Sequence, residues 1–450
     1  MRNIKKFPIG GTHLPENKDL TTDRAIQIAL PVNHVIIPLR QHLGVPCKPH
    51  VAVGDKVEPG QLIGSNTEGL SARIHASVKG TVTAIEDRTM IDGAPLVCIC
   101  IKLDPDRDGL DQATQALLAH EEGAASKEVP DAAIVIERVE AAGIVGMGGA
   151  AFPTHIKLKG RSDMPIDTVI INGAECEPYI TTDDRLMQEQ AAAIFRGLEI
   201  IRQTVGAQKG YVASEINKPV AIEQLQQEAK NWEYLEAVRL DTRYPHGAEK
   251  HLIKAVLNRE VPMRQLPMAV GALVNNVQTT VAIAAAVDRE RPLIARVLTV
   301  SGSAIRNPGN FLTPIGTPIR DLIEAAGGLT DPEAIIVIGG PMTGTATTDL
   351  DLPVTKSTSG IVALQPGEYA DRSNEVCIRC ARCVSVCPMY LQPNRITAFV
   401  NNHMLPEAME FGLQDCILCG ACAYVCPSHR PLLQWLRQGK AQAAQQGRNP

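Results

Sequence analysis

Two stretches in the last quarter of the sequence carry the same cysteine spacing. Residues 377–387 read CIRCARCVSVC and residues 416–426 read CILCGACAYVC, and a proline follows each run. Only four of the chain's 12 cysteines lie outside these runs. In proteins with two iron–sulfur clusters bound by C-x2-C-x2-C-x3-C-P runs, three thiolates hold one cluster and the fourth thiolate holds the other. The spacing therefore predicts two 4Fe–4S clusters with crossed fourth ligands.

The crossed pattern divides the eight thiols into two predicted ligand sets. Structural zinc is the alternative, but it favours pairs of C-x2-C separated by a longer loop. The segment between the runs, residues 395–413, has a helical pattern, so we expect a helical ferredoxin-like domain that relays single electrons. The first set is Cys377, Cys380, Cys383 and Cys426, and the second is Cys416, Cys419, Cys422 and Cys387.

A relay of single electrons needs a donor, and a glycine-rich loop is the candidate site for one. Residues 143–160 read GIVGMGGAAFPTHIKLKG. Gly146, Gly148 and Gly149 allow close approach to a ligand and can present backbone amides to a phosphate. The loop is neither a P-loop nor the G-x-G-x-x-G turn of a dinucleotide fold. The alternatives are a tight turn between helices and, for Lys157, an ordinary surface lysine.

Polar residues follow the next predicted strand, in VIINGAECEPYITTDDR at residues 169–185. Asn172, Glu175 and Glu177 stand where open α/β sheets usually place their ligand-binding groups. A solvated loop is the alternative for the two glutamates. Cys176 between them is either a reactive thiol or, as we expect, a small packed residue.

The elements that position these groups predict a multidomain α/β protein. Residues 36–103 alternate short apolar runs with turn signals such as Pro59-Gly60, which favours a lipoyl-like β barrel-sandwich. The predicted hairpin tip lacks an acceptor lysine, so we interpret this unit as structural, and Cys98 and Cys100 as packed thiols. Helices and strands then alternate to about residue 290. A strand–helix–strand pattern over residues 296–345 predicts a small α+β unit.

These patterns give five predicted segments. The segments are 1–130 (barrel-sandwich plus a linker with a short helix), 131–290 (α/β domain), 291–365 (α+β unit), 366–438 (two-cluster domain) and 439–450 (flexible tail).

Composition excludes several other classes of protein. The net charge is −5 and aromatic residues make up 3%, so a nucleic-acid-binding surface is not expected. The most apolar long stretch, residues 268–287, contains several Asn, Gln and Thr residues and is too polar for a membrane span. The opening MRNIKKFPIGG has no apolar core behind its basic residues, so we do not expect it to be a signal peptide. We therefore expect a reducing compartment, where clustered cysteines bind metals.

Four segments together carry a resemblance to a known family. GMGGAAFPTHIK (146–157), NGAECEP (172–178), YPHGAEK (244–250) and VNNVQTT (274–280) occur in the order found in the FMN-binding subunit of respiratory complex I. The chain is still more similar to the RnfC family of the Rnf electron-transport complex, called RsxC in some bacteria. The opening FPIGGTHLPENK (7–18), the barrel, the flavin domain, an SLBB-like unit and the cysteine runs follow that family's order from about residue 7 to 437.

The resemblance implies roles for individual residues. Ala151 departs from the family, which usually has glycine there, and Ala174 and Ala248 replace acidic residues of the complex I pattern. The residues implied to hold the FMN phosphate and ribityl chain are Gly146, Gly148, Gly149 and Lys157. The residues implied to make further contacts with the flavin are Asn172, Glu175, Asn275 and Asn276. Those implied to face the nicotinamide nucleotide are Phe152, Glu177 and Glu249.

The resemblance also implies a function. It predicts a peripheral subunit at the cytoplasmic face of the inner membrane that passes electrons between NAD(H), FMN and the two clusters. Its partners would be the other Rnf/Rsx subunits, including a ferredoxin-like subunit, with coupling to ion transport or to reduction of a redox regulator. No catalytic acid or nucleophile is required. The alternatives are a stand-alone flavin/iron–sulfur reductase, such as a cobalamin reductase, and a non-enzymatic scaffold without flavin.

Overall fold

The structure is a computed structural model that describes residues 4–105, 128–368 and 375–446. The short helix predicted between residues 104 and 130 lies outside the described residues. The chain begins with an extended segment, residues 4–33, that includes strand β1 (Ile26–Ile28). This strand belongs to a sheet formed mainly by residues after 290, although the sequence assigned it to the N-terminal barrel.

The N-terminal unit is a barrel-sandwich of two small antiparallel sheets. In the second half of its hairpin, Ile99 and Ile101 face the core, and Cys98 and Cys100 pack with Ile36 on the opposite face. This alternation follows the two-residue period of a strand and confirms the two cysteines as packed thiols. The strands are β2 (His34–Pro38), β3 (Lys48–Pro49), β4 (Lys56–Val57), β5 (Leu62–Ser65), β6 (Ile74–His75), β7 (Gly80–Thr89) and β8 (Pro95–Leu103), with sheet orders β2-β8-β7-β4 and β3-β5-β6.

The second unit is an α/β domain with a four-stranded parallel sheet. Its strands are β9 (Thr168–Gly173), β10 (Lys209–Glu215), β11 (Leu235–Leu240) and β12 (Ala272–Asn276), in the order β11-β10-β9-β12. Its helices are α1 (Ala132–Ala141), α2 (Thr154–Lys159), α3 (Thr182–Glu189), α4 (Ala191–Thr204), α5 (Pro219–Ala229), α6 (Glu249–Leu257) and α7 (Val277–Arg289). Because the strands are parallel and β9 lies beside β12, the carboxyl ends of these two strands meet at one sheet edge.

The third unit is a mixed six-stranded sheet with one helix, α8 (Ile319–Ala325). Strand β1 pairs in parallel with β14 (Gly309–Pro314), so residues 26–28 of the N-terminal segment belong to this sheet. The remaining strands are β13 (Ala295–Ser301), β14 (Gly309–Pro314), β15 (Ile335–Ile338), β16 (Thr345–Thr347) and β17 (Gly360–Leu364), and the order is β1-β14-β13-β17-β15-β16.

The C-terminal unit is helical, as predicted. Its helices are α9 (Arg382–Val386), α10 (Pro393–Asn401), α11 (Leu405–Glu410), α12 (Ala421–Tyr424) and α13 (Leu432–Gln446). Helix α13 includes residues 439–446, which the sequence assigned to a flexible tail. Gly439 packs against α10, and the Lys440 ammonium donates to the Gln414 and Cys416 carbonyls at 3.0 and 2.6 Å. No helix among the described residues is long and apolar enough to span a membrane.

A buried lysine joins the first three units. The ammonium of Lys356 donates to the Arg73 carbonyl of the barrel at 2.7 Å and to the Gly143 carbonyl of the α/β domain at 2.6 Å. Its own backbone N–H donates to the Gln41 side chain at 3.0 Å. Lys356 is 1% exposed, and burial lowers its pKa to about 7. Three units therefore meet at one buried amino group that donates to carbonyl oxygens.

We predict that Lys356→Ala lowers the free energy of unfolding by about 2–4 kcal/mol, because it opens a cavity and leaves two carbonyls without their donor. The loss should grow from pH 7 to about pH 10, since the unfolded chain there holds a proton that the folded chain has released. Denaturant unfolding at several pH values measures both effects. Lys56→Ala, at an exposed strand position, is the control. An equal loss in both variants would contradict the role of Lys356.

Candidate functional site

The eight cysteines of the two runs line two separate cavities in the C-terminal unit. The fourth cysteine of each run lies in the cavity of the other run, which is the crossed arrangement that the spacing predicts. The first cavity is lined by Cys377, Cys380, Cys383 and Cys426, together with residues such as Asn394 and Arg430. The second cavity is lined by Cys387, Cys416, Cys419 and Cys422.

Local backbone geometry separates the fourth cysteine from the other three. Arg379 and Ala381 in the first run, and Leu418 and Gly420 at the same positions of the second, have φ between +55° and +77°. These left-handed residues curl each run around its cavity. The short helices α9 and α12 then carry the chain away before the fourth cysteine, so Cys387 and Cys426 reach the opposite cavities.

The donor set of each cavity fits a four-iron cluster. Across residues 4–105, 128–368 and 375–446, no three His, Cys, Asp or Glu side chains converge as they would on a single metal ion. Four thiols spread around a cavity instead match a cubane in which each iron takes one thiolate. Burial raises the pKa of Cys383, Cys387 and Cys416, and that of Cys419 to about 11, so metal binding would release thiol protons.

The glycine-rich loop is closed by backbone hydrogen bonds and lies against the start of α7. The Gly146 N–H donates to the Phe152 carbonyl at 2.9 Å, and the Met147 N–H donates to the Thr279 hydroxyl at 2.9 Å. A Cβ on Gly148 would lie 2.8 Å from Cβ of Asn276, whereas a Cβ on Gly149 would meet no atom within 4 Å. The loop is therefore tightly packed at Gly148 and open at Gly149.

Ala151 occupies a backbone conformation that favours glycine. Its φ is +53°, and its carbonyl accepts a hydrogen bond from the Leu43 N–H of the barrel at 3.0 Å. A left-handed alanine costs about 1–2 kcal/mol relative to its ordinary conformation. This geometry explains why glycine suits the position, and it shows that the loop keeps its left-handed turn with alanine there.

The three asparagines lie at the common edge of β9 and β12, where Asn172 and Asn276 are register partners. The Asn172 amide donates to the Gly247 carbonyl at 2.8 Å. Asn276 caps α7 by accepting from the Gln278 N–H at 2.9 Å, and its amide donates to Asp183 at 2.6 Å. The Asn275 amide nitrogen is buried and has no partner among the described residues. Asn275 thus offers a donor for a ligand.

The Glu175 carboxylate lies behind this edge and is bound to the first turn of α3. It accepts from the Asp183 N–H at 2.9 Å and from the Asp184 N–H at 3.2 Å. Burial, together with the nearby charge of Glu175, raises the pKa of Asp183 to about 8, and burial also raises the pKa of Glu175. Asp183 was missed from the sequence, because an aspartate in the first turn of a helix is an ordinary feature.

The N-terminal segment fixes the loop that carries the two glutamates. The ammonium of Lys18 is buried and donates to the Glu177 carbonyl at 2.9 Å and to the Ile180 carbonyl. The Tyr179 N–H donates to the Glu16 carbonyl at 2.8 Å. Sequence reasoning did not single out Lys18. Its only signal was its place in the FPIGGTHLPENK motif.

Lys157 and Glu249 form an ion pair, whereas the Glu177 carboxylate is hydrogen-bonded to residues 342 and 343. The Lys157 ammonium lies 3.3 Å from the Glu249 carboxylate, at the start of α6, and also donates to the Val274 carbonyl. The Glu177 carboxylate accepts from the Met342 N–H at 3.2 Å and from the Thr343 hydroxyl. Glu177 therefore binds a loop of the third unit in this structure.

The second cavity adjoins the α/β domain. The Tyr244 hydroxyl donates to the Cys419 carbonyl at 2.6 Å, and a ring nitrogen of His251 lies 2.8 Å from the Pro388 carbonyl. Cys176 is half-buried and packs with the same apolar cluster. In the N-terminal segment, the Gly11 N–H donates to the Val386 carbonyl at 2.9 Å. These contacts connect the glutamate loop to the second cysteine cavity.

Four family models match the chain in a single order. They are the RnfC barrel sandwich hybrid domain (residues 6–106), the Nuo51 FMN-binding domain (139–285), the SLBB domain (297–346) and the 4Fe-4S dicluster domain (376–429). The predicted barrel-sandwich, FMN-binding, SLBB-like and two-cluster domains are thereby confirmed.

Curated relatives match over almost the entire chain. The C component of the proton-translocating ferredoxin:NAD(+) oxidoreductase complex of Clostridium ljungdahlii is 41% identical, with 98% of this chain and 94% of the relative covered. The Na(+)-translocating counterpart of Acetobacterium woodii is 40% identical, with 98% and 97% covered. The C component of the ion-translocating oxidoreductase complex of Rhodobacter capsulatus is 41% identical, with 96% and 82% covered.

Among solved structures, an NAD+-reducing [NiFe]-hydrogenase in the H2-reduced state shares the fold. The TM-score is 0.51 at 21% identity, with 75% of this chain and 66% of that chain covered. The order of the four domains and the similarity over almost the full length of the relatives lead to one conclusion: the chain belongs to the RnfC family, whose members are components of ion-translocating oxidoreductase complexes.

Proposed function

We propose that this chain carries electrons between NAD(H), FMN and two 4Fe–4S clusters as the RnfC component of an ion-translocating ferredoxin:NAD+ oxidoreductase. The names of its relatives, its FMN-binding domain and its dicluster domain support the proposal. The observation that carries it is the contact of Tyr244 with Cys419, which connects the flavin domain to the second cysteine cavity. Electrons could pass between the two units there without crossing solvent.

Several residues of the chain suit the proposed FMN site. Gly149 leaves open space beside the loop backbone, Asn275 has an unpaired buried donor, and Lys157 supplies a positive charge nearby. Gly146, Gly148, Asn172, Glu175 and Asn276 shape the loop and the sheet edge around this space. When bound, FMN exchanges two electrons with a nicotinamide nucleotide and single electrons with a cluster.

The nicotinamide nucleotide would lie on the side of Phe152 and Glu249. Glu249 begins α6 and is 40% exposed, so its carboxylate can accept hydrogen bonds from a ribose or carboxamide. Glu177 instead accepts from residues 342 and 343, and we propose that it fixes the loop between the flavin domain and the third unit.

The proposed assembly is the membrane complex named in the relatives. We propose that the chain binds the other subunits, including a ferredoxin-like subunit, as a peripheral component at the cytoplasmic face of the inner membrane. The words proton-translocating and Na(+)-translocating in the names of the Clostridium and Acetobacterium relatives support a membrane complex. The coupling ion differs between those two relatives, so it is not assigned to this chain.

The crossed ligand sets predict which thiols each substitution exposes. Anaerobic reconstitution should give about eight irons and eight sulfides per chain. Cys387→Ala should leave Cys416, Cys419 and Cys422 open to alkylation while the first run remains protected. Cys426→Ala should expose the first run instead. Peptide mass mapping after alkylation checks both variants, and exposure of the mutated run itself would show that each run binds its own cluster.

Substitutions at two adjacent glycines distinguish an effect on protein packing from an effect on flavin binding. Gly148→Ala should lower the melting temperature, because its Cβ would lie 2.8 Å from Asn276 and overpacking costs about 1–3 kcal/mol. Gly149→Ala should leave the melting temperature of the flavin-free protein unchanged and weaken FMN binding on the order of tenfold. Thermal unfolding and quenching of FMN fluorescence measure the two effects. Normal FMN affinity in Gly149→Ala would place the flavin elsewhere.

Glu249→Ala tests the nucleotide side and the proposed activity together. NADH should reduce the flavin and then the clusters of the wild-type protein under anaerobic conditions. Glu249→Ala should slow this reduction by about 1–3 kcal/mol in activation free energy, because an acceptor is lost, and should leave dithionite reduction unchanged. Stopped-flow absorbance follows both reactions.

Glu260→Ala is the matched control, because Glu260 forms an exposed ion pair with Lys254 at 3.9 Å. Loss of FMN from Glu249→Ala would show that Glu249 holds the flavin through Lys157. An unchanged NADH rate would place the nucleotide elsewhere. A flavin- and iron-loaded wild type that NADH does not reduce would contradict the proposed function itself.

A further inference from the structure

The first cysteine cavity faces outward, whereas the second is packed against the flavin domain. Cys380 is exposed, and its apolar neighbours Val376 and Ile378 are 86% and 67% exposed. Exposed apolar side chains that lie together are typical of surfaces that contact another protein. Exposed apolar side chains therefore lie near a predicted cluster ligand in the first run.

The internal repeat provides a comparison for this surface. Arg379 and Arg382 of the first run are exposed, and Leu418 and Ala421 stand at the same positions of the second run. Val376 likewise corresponds to Asp415, which is 8% exposed. The second run completes the same cavity geometry without any arginine, so the cysteine pattern does not itself require these side chains. Their presence on the outward run calls for a different explanation.

We propose that a surface formed by Val376, Ile378, Arg379, Cys380 and Arg382, here called the first-cluster face, docks an electron-carrier protein with acidic side chains around its redox centre. The inference rests on the proposed function, because the first cavity must hold a cluster. An apolar centre beside positive charges suits a small, transient contact between proteins. Complementary charge orients the partner and speeds encounter.

The reaction at this face transfers one electron. A cluster held by the first run would gain the one electron that the partner's centre loses, or would lose the one electron that the partner's centre gains. No bond forms or breaks and no proton moves. An exposed ligand such as Cys380 shortens the path between the centres, because no further layer of protein covers it.

The test follows electron transfer from a dithionite-reduced, acidic two-cluster ferredoxin to the oxidised, fully loaded chain by anaerobic stopped flow. Arg382→Glu should slow the reaction about tenfold at low salt, and the difference should shrink as salt screens the charge. Val376→Ser should slow it several-fold at every salt concentration, because it removes apolar contact. Neither residue lines the cavity, so both variants should keep their iron.

Two matched controls lie on other units. Arg320→Glu changes an arginine whose side chain is 48% exposed, and Val53→Ser changes a valine that is 61% exposed. Both should react within about twofold of the wild type. Equal slowing by Arg320→Glu would show a general charge effect and overturn the docking face. If Arg382→Glu loses iron, Arg382→Gln replaces it in the comparison.

Separate readouts distinguish this inference from the proposed function. Iron content and the paramagnetic signal of the reduced protein report the clusters, and a wild type without them would defeat the proposed function and this inference with it. Loaded variants with unchanged ferredoxin rates would defeat the docking face alone. Binding to phosphatidylglycerol vesicles that both variants abolish, with ferredoxin rates unchanged, would assign the face to a membrane surface and overturn the proposal.

Discussion

The ammonium of Lys356 is the interaction on which the arrangement of the first three units depends. It lies between carbonyls of the barrel and of the α/β domain, and no carboxylate hydrogen-bonds to it among the described residues. Gly143 has a φ of +65°, and a Cβ there would lie 2.2 Å from the Arg73 carbonyl. Two backbones therefore meet at a distance that only glycine permits. Gly143 is also the first residue of the glycine-rich segment, so this contact sets where the loop starts.

Further hydrogen bonds hold the rest of the glycine-rich loop. Leu43 of the barrel donates to the Ala151 carbonyl, and Thr279 of α7 accepts from the Met147 N–H. Hydrogen bonds to the barrel and to α7, and one between Gly146 and Phe152 of the loop itself, therefore hold the loop in place. These hydrogen bonds fix the backbone of the loop before any ligand binds. Preorganisation of this kind lowers the entropy cost of binding.

Local sequence patterns predicted much of the structure, whereas contacts between distant segments could not be predicted from the sequence. The cysteine spacing predicted two crossed cavities because three ligands of each set lie within seven residues. Strand β9 predicted the positions of Asn172 and Glu175 because ligand groups follow parallel strands. Strand β1, in contrast, pairs with a sheet outside the barrel with which the sequence grouped it. Its pairing with β14 joins Ile26 to Asn310, and residues so far apart in the sequence produce no periodic pattern that would predict the pairing.

Other contacts between distant segments show the same effect. Lys18 binds the Glu177 carbonyl 159 residues away, and the Glu177 carboxylate binds residues 342 and 343. A resemblance transfers a residue's usual role, but the partner that orients the side chain depends on packing between units. The helix at 439–446 is a similar case, because Lys440 binds carbonyls near the second cysteine run.

The duplicated cysteine run shows how one local rule serves two environments. Both copies need left-handed residues two and four positions after their first cysteine, and both copies have them. The other intervening residues are free of that demand. In the second copy Ala421 is buried, whereas the corresponding Arg382 of the first copy is exposed. Ligation fixes the thiols and the turns, so the remaining positions can adapt one cluster site to the flavin domain and leave the other accessible at the surface.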